Sequence, residues 1–92
     1  MTTIQEIKNY LLEDGWQPTN QGNFHKVHSF SRNGRGKKKQ RQMRVIFRDS
    51  ACDLEMQSLY DTSWIRVGHS AIEKVVVNRK SMKIGDASLL KE

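Results

Sequence analysis

Apolar positions open the chain at helical spacing. Ile4, Ile7, Leu11 and Leu12 follow "TIQE", in which the Thr3 hydroxyl and the Glu6 carboxylate can satisfy amides that a first helical turn leaves unpaired. Gly15 is placed to end the helix in a left-handed conformation, and Pro18 to prevent its resumption. The spacing predicts a helix over about residues 3–14.

After the turn "PTNQGN" the period changes to two. Phe24, Lys26, His28 and Phe30 point one way and His25, Val27, Ser29 and Ser31 the other, which predicts a strand. "QMRVIFRDSACDLEMQSLY" reads as a hairpin about Asp49 to Cys52, with Phe47 opposite Leu54 and Val45 opposite Met56 on one apolar face. That register sets Arg48 across from Asp53 and Arg44 across from Gln57, so Arg44 has no carboxylate opposite it and remains open to an external one. "SWIRVGHS" and "AIEKVVVNRKSMKIG" supply two more strands, the second breaking near Asn78 into a hairpin whose return carries Met82 and Ile84; "DASLLKE" is one helical turn or a frayed tail. These elements predict an α+β fold, with one N-terminal helix packed on an antiparallel sheet of four to five strands. Residues 1–92 make a single domain, and a domain of this size buries only about 60% of the surface its unfolded chain exposes, so its core is thin.

Charge changes the picture more than composition does. The chain is 36% hydrophobic and 28% charged, which is polar but folded in character. Its 16 Lys and Arg exceed its 10 Asp and Glu by six, and "RNGRGKKKQRQMR", residues 32 to 44, holds seven cations (Arg32, Arg35, Lys37, Lys38, Lys39, Arg41 and Arg44) and no acid. Without those seven, nine cations stand against ten acids. The whole positive excess therefore sits in one segment, as expected of a localised phosphate-binding surface and opposite in sign to a DNA mimic. Two glycines and dense like charge predict a flexible basic connector over about residues 32–42. Arg forks bind phosphate oxygens in pairs and Lys offers a mobile point charge, although such a run also serves as a solvated loop.

Base discrimination would need side chains that reach bases. Aromatic faces interleaved with cations, as at Lys26 and Phe30 beside Phe24 and His28, resemble platforms for unpaired bases. Two Phe at period two fit core packing better, with the Lys stem reaching outward. Arg66, Arg79, Lys80 and Lys83 extend the basic surface or are ordinary exposed cations. Trp16, just past the helix, fits packing against the sheet, whereas Trp64 alternates with Arg66 and fits either an exposed interface anchor or a packing role.

Catalytic and metal signals are weak. His25 and His28 point to opposite faces of a strand, so a tetrahedral zinc site lacks assembled ligands. A Cys52–His69 nucleophile pair has no surrounding signature, and no Walker motif or helical HExxH is present. No cluster supplies an acid, a base and a metal set for a hydrolase or nuclease. The expectation is a non-enzymatic protein without catalytic residues, cofactor or metal. No apolar run approaches the roughly 20 residues that cross a bilayer, and a single cysteine suits a reducing compartment; a cytoplasmic protein with no membrane partner is expected.

Taken whole, the opening "MTTIQEIKNYLLEDGW", the basic centre "GRGKKKQRQMR" and the strand-rich remainder resemble the phage-encoded anti-CRISPR proteins that block the type I-F RNA-guided surveillance complex. That group has many folds and no shared motif, so no residue role is carried over. The resemblance implies a stoichiometric inhibitor that docks onto CRISPR RNA and Cas proteins and prevents target DNA from pairing with the guide, in the cytoplasm of a bacterial host. Nucleic acid is the expected partner, with Arg32, Arg35, Lys37, Lys38, Lys39, Arg41, Arg44, Lys26, Phe30, Trp64 and Arg66 as candidate contacts. The alternative is a general single-stranded RNA- or DNA-binding phage accessory protein.

Overall fold

The computed structural model describes residues 1–30 and 39–91, with the side chains of Ser29, Phe30 and Lys39 set aside. It is an α+β fold: one helix, a five-stranded antiparallel sheet and a smaller three-stranded sheet.

Helix α1 (Ile4–Glu13) starts at Thr3, whose hydroxyl accepts from the Glu6 amide at 3.3 Å. It stops at Gly15, whose φ of 86° lets Trp16 N–H reach the Leu11 carbonyl (2.9 Å) and Gly15 N–H the Leu12 carbonyl (3.1 Å). These two hydrogen bonds satisfy carbonyls the last turn would leave unpaired. The buried stripe is Ile7, Tyr10 and Leu11. Ile4 and Leu12, expected inside, are exposed; the three- and four-residue steps from Ile7 select Tyr10 instead of Leu12.

The large sheet runs β1 (Gln17–Pro18), β2 (Phe24–Phe30), β3 (Lys39–Arg48), β4 (Ala51–Gln57) and β5 (Trp64–Ala71), each antiparallel to its neighbour. Beyond the Met43–Met56 pair, β2 and β3 continue without β4 as a two-stranded ribbon, whose final pairs are His28–Arg41, Ser29–Gln40 and Phe30–Lys39. The expected connector therefore shortens, because Lys39, Gln40, Arg41 and Gln42 belong to a strand.

The β3–β4 register differs by two residues from the sequence expectation. Val45 faces Leu54, Phe47 faces Cys52 and Arg44 faces Glu55. The reason is a tighter turn, with only Asp49 and Ser50 between the strands and Asp49 at φ 43°, a conformation Asp tolerates better than most residues. A two-residue slip preserves which face each side chain occupies, so the apolar face survives while its partners change.

After a 3-10 turn (Ile72–Lys74), β6 (Val76–Val77), β7 (Ser81–Ile84) and β8 (Ala87–Leu90) form the second sheet. The segment expected as a helical turn or tail is thus β8, paired to β7 with Met82 opposite Leu89. Ala87 and Leu89 turn to the core while Ser88 and Leu90 stay exposed, the alternation of a strand. Gly68 lets this sheet approach β5: a Cβ there would lie 2.6 Å from the Ile84 carbonyl oxygen and 2.8 Å from the Ala87 Cβ. One core joins the helix and both sheets, including Ile7, Tyr10, Leu11, Trp16, Phe24, Val45, Leu54, Met82, Ile84 and Leu89. Among the described residues no helix is long and apolar enough to cross a membrane.

Candidate nucleic-acid interface

The face of the large sheet turned away from the core carries a charged network. Arg44 donates from Nε to Glu55 at 2.5 Å and lays its guanidinium 4.0 Å from the centre of the Trp64 ring. One row along, Asp53 is 2% exposed and accepts from Arg48 Nε at 3.2 Å and from His69 Nδ1, with Arg66 Nη1 at 3.9 Å. Burial pushes the Asp53 carboxyl up, but the hydrogen bonds from His69 and Arg48 and the positive charges of His69 and Arg66 outweigh it and hold the carboxyl below its ordinary range.

A bulge creates this arrangement. Leu54 pairs with Gly68 and Glu55 with Arg66, so Val67 is the extra residue of β5. Strict alternation would send Arg66 and His69 to opposite faces; the extra residue returns His69 to the face that holds Trp64 and Arg66. Sequence reasoning had no signal for it. The Arg44–Glu55 pair did have one, since a two-residue turn at Asp49–Ser50 would have placed opposite charges directly across.

The expected site residues separate into groups. Arg44, Trp64 and Arg66 share the outer face. Arg44, expected to await an external carboxylate, is matched by Glu55 inside the chain. Arg41 lies on the other side of β3, half-buried, with Nη1 3.7 Å from the Met56 sulfur. Lys26 turns inward to the end of α1, where its ammonium donates to the Asp14 carbonyl (3.0 Å) and carboxylate (3.2 Å), and Trp16 Nε1 donates to that carboxylate at 3.1 Å. A cation there opposes the negative end of the helix. Phe24 is buried and meets Phe47 edge to face at 6.2 Å, so it serves the core and not a stacking platform. Arg32, Arg35, Lys37 and Lys38 lie outside the described residues, as do the side chains of Phe30 and Lys39. Arg79, Lys80 and Lys83 are exposed on the second sheet and its β6–β7 turn.

Cys52 and His69 cannot act as a pair. Cys52 is fully buried on the core face while His69 lies on the outer one, and burial, aided by the Asp53 charge, pushes the thiol up to about 11. Among the described residues no group of three His, Cys, Asp or Glu is placed to hold a metal ion.

Between Trp64 and the β1–β2 turn, the outer face opens into a cleft of about 260 Å³ lined by Thr19, Gln21, Asn23, Phe24, His25, Arg44, Ile46 and Trp64. His25 Nε2 lies 3.0 Å from Gln42 Oε1 at its edge, and the Asn23 side-chain Oδ1 accepts from the Phe47 backbone N–H at 3.0 Å. Comparison of the chain with protein-family models, with curated proteins and with solved structures gave no match in any of the three.

Proposed function

We propose that this chain is a binding protein without chemistry of its own, an inhibitor that docks onto a CRISPR RNA-guided surveillance complex. It contacts guide-RNA phosphates and Cas surfaces with the cationic end of the β2–β3 ribbon and keeps target DNA from pairing with the guide.

One observation carries the reading. Five of the chain's cations, Arg32, Arg35, Lys37, Lys38 and Lys39, belong to the β2–β3 connection and the first residue of β3, and without them eleven cations stand against ten acids. Along the rest of the large sheet Lys26, Arg44 and Arg48 are held by Asp14, Glu55 and Asp53. A two-stranded ribbon ending in unbalanced positive charge suits a phosphate backbone, whose contacts position a ligand without reading its sequence. The resemblance to type I-F inhibitors names the complex.

The test is capture of the assembled complex by immobilised protein, compared with free guide RNA and with isolated Cas subunits. The assembled complex should bind most tightly, and joint replacement of Lys37, Lys38 and Lys39 by Glu should abolish capture. Equal affinity for free single strands would favour the general accessory protein instead, and undiminished capture by the charge-reversed chain would remove the ribbon from the account.

A further inference from the structure

We infer that the cleft between Trp64, Arg44 and the β1–β2 turn is a subsite for one unpaired nucleobase of the strand whose phosphates the ribbon holds; the inference rests on the proposed nucleic-acid reading.

The cleft holds flat, weakly hydrated surfaces of the kind on which bases stack. The Arg44 guanidinium lies 4.0 Å from the Trp64 ring centre, and its Nε bond to Glu55 fixes the plane. Both residues line the cleft, and the Arg44 side chain is 35% exposed. Arg planes and Trp rings take bases without regard to sequence, because every base has a π-face. The volume, about 260 Å³, falls below the roughly 300–1,000 Å³ of pockets for drug-sized molecules and suits one flat ring system.

The rim supplies what a base edge needs. Thr19, Gln21 and His25 add donors and acceptors, and Asn23, whose side-chain Oδ1 is engaged by the Phe47 backbone N–H, retains its side-chain Nδ2 hydrogens as donors. Glu55, which would repel a phosphate, is 12% exposed and neutralised by Arg44, so this spot favours a base over a backbone. Arg66 and His69, 60% and 54% exposed, continue along β5 from Trp64 on the same outer face and present N–H donors to a sugar-phosphate chain.

The test separates bases from phosphates by comparing a short oligouridylate with inorganic polyphosphate. Trp16 is buried at 2% exposure, so ligand-dependent quenching of tryptophan emission reports Trp64. The oligonucleotide should quench emission and polyphosphate should not. Trp64→Ala should weaken oligonucleotide binding about tenfold while leaving polyphosphate binding within about twofold, as the usual value of a base–aromatic stack requires. Arg44→Lys, which keeps the charge and loses the plane, should weaken the oligonucleotide in the same direction. Unquenched binding with unchanged affinity in both variants would overturn the subsite and leave the ribbon reading standing. Failure of the wild-type chain to bind either probe would overturn the subsite, whereas failure to capture the assembled complex would overturn the reading on which it rests.

Discussion

The two faces of the large sheet come from alternating residues of the same strands, yet different forces hold them. Phe24, Val45 and Leu54 on the inner face lie beneath the helix and the second sheet, where removal from water dominates. On the outer face Arg44, Glu55, Arg48, Asp53 and Arg66 form charge pairs at the rim of solvent, with His69 hydrogen-bonded to Asp53, and the only deeply buried member is Asp53. The inner face therefore fixes that the chain folds. The outer face presents Trp64 and Arg44 in a set geometry.

Breaking the inner face should have the largest effect. Leu54→Ala removes a side chain that is 1% exposed at the centre of the core and should cost about 2–5 kcal/mol in denaturant-unfolding free energy. Gly68→Ala comes next, since its Cβ would meet the Ile84 backbone oxygen at 2.6 Å, and backbone cannot rotate away; about 1–3 kcal/mol is expected from the same measurement.

Asp53→Asn tests the outer face. It removes a buried charge that two hydrogen bonds and a nearby guanidinium stabilise, and should cost about 2 kcal/mol at neutral pH. Because the folded carboxyl titrates below its ordinary 3.8, ionised Asp53 stabilises the fold above that value, and the contribution is lost as pH falls through the lower folded value. The Asn variant should lack that part of the acid limb in a series of thermal melts, and an unchanged limb would show that Asp53 does not couple to folding. Glu55→Gln, at a pair with a partly exposed Arg44, should cost only about 1 kcal/mol. Smallest of all, joint charge reversal at Lys37, Lys38 and Lys39 should leave stability within about 0.5 kcal/mol.

Local signals made much of the fold legible. Thr3 and Glu6 gave the helix start, Gly15 its end, and period-two patterning gave β2, β3 and β4 with the correct faces. What remained hidden depended on single-residue choices that periodicity does not record. Asp49 adopts a positive φ and tightens the turn, which moves Arg44 from Gln57 to Glu55. Val67 bulges and brings His69 to Asp53. The β8 strand reads ambiguously because four residues hold too little pattern to separate strand from turn. At the candidate site, composition located the basic segment, but Lys26 and Arg41 turn to the inner side while the cleft draws on β1–β2 turn residues that carry no charge or motif.

Salt dependence of single-stranded RNA binding tests the central claim most directly. If about four ribbon cations meet phosphates, the logarithm of the association constant should fall with log salt at a slope near −3, through release of roughly 0.7 counterion per contact. Charge reversal at Lys37, Lys38 and Lys39 should bring that slope close to zero as binding fades. A wild-type chain that binds RNA with a slope near zero would contradict the account.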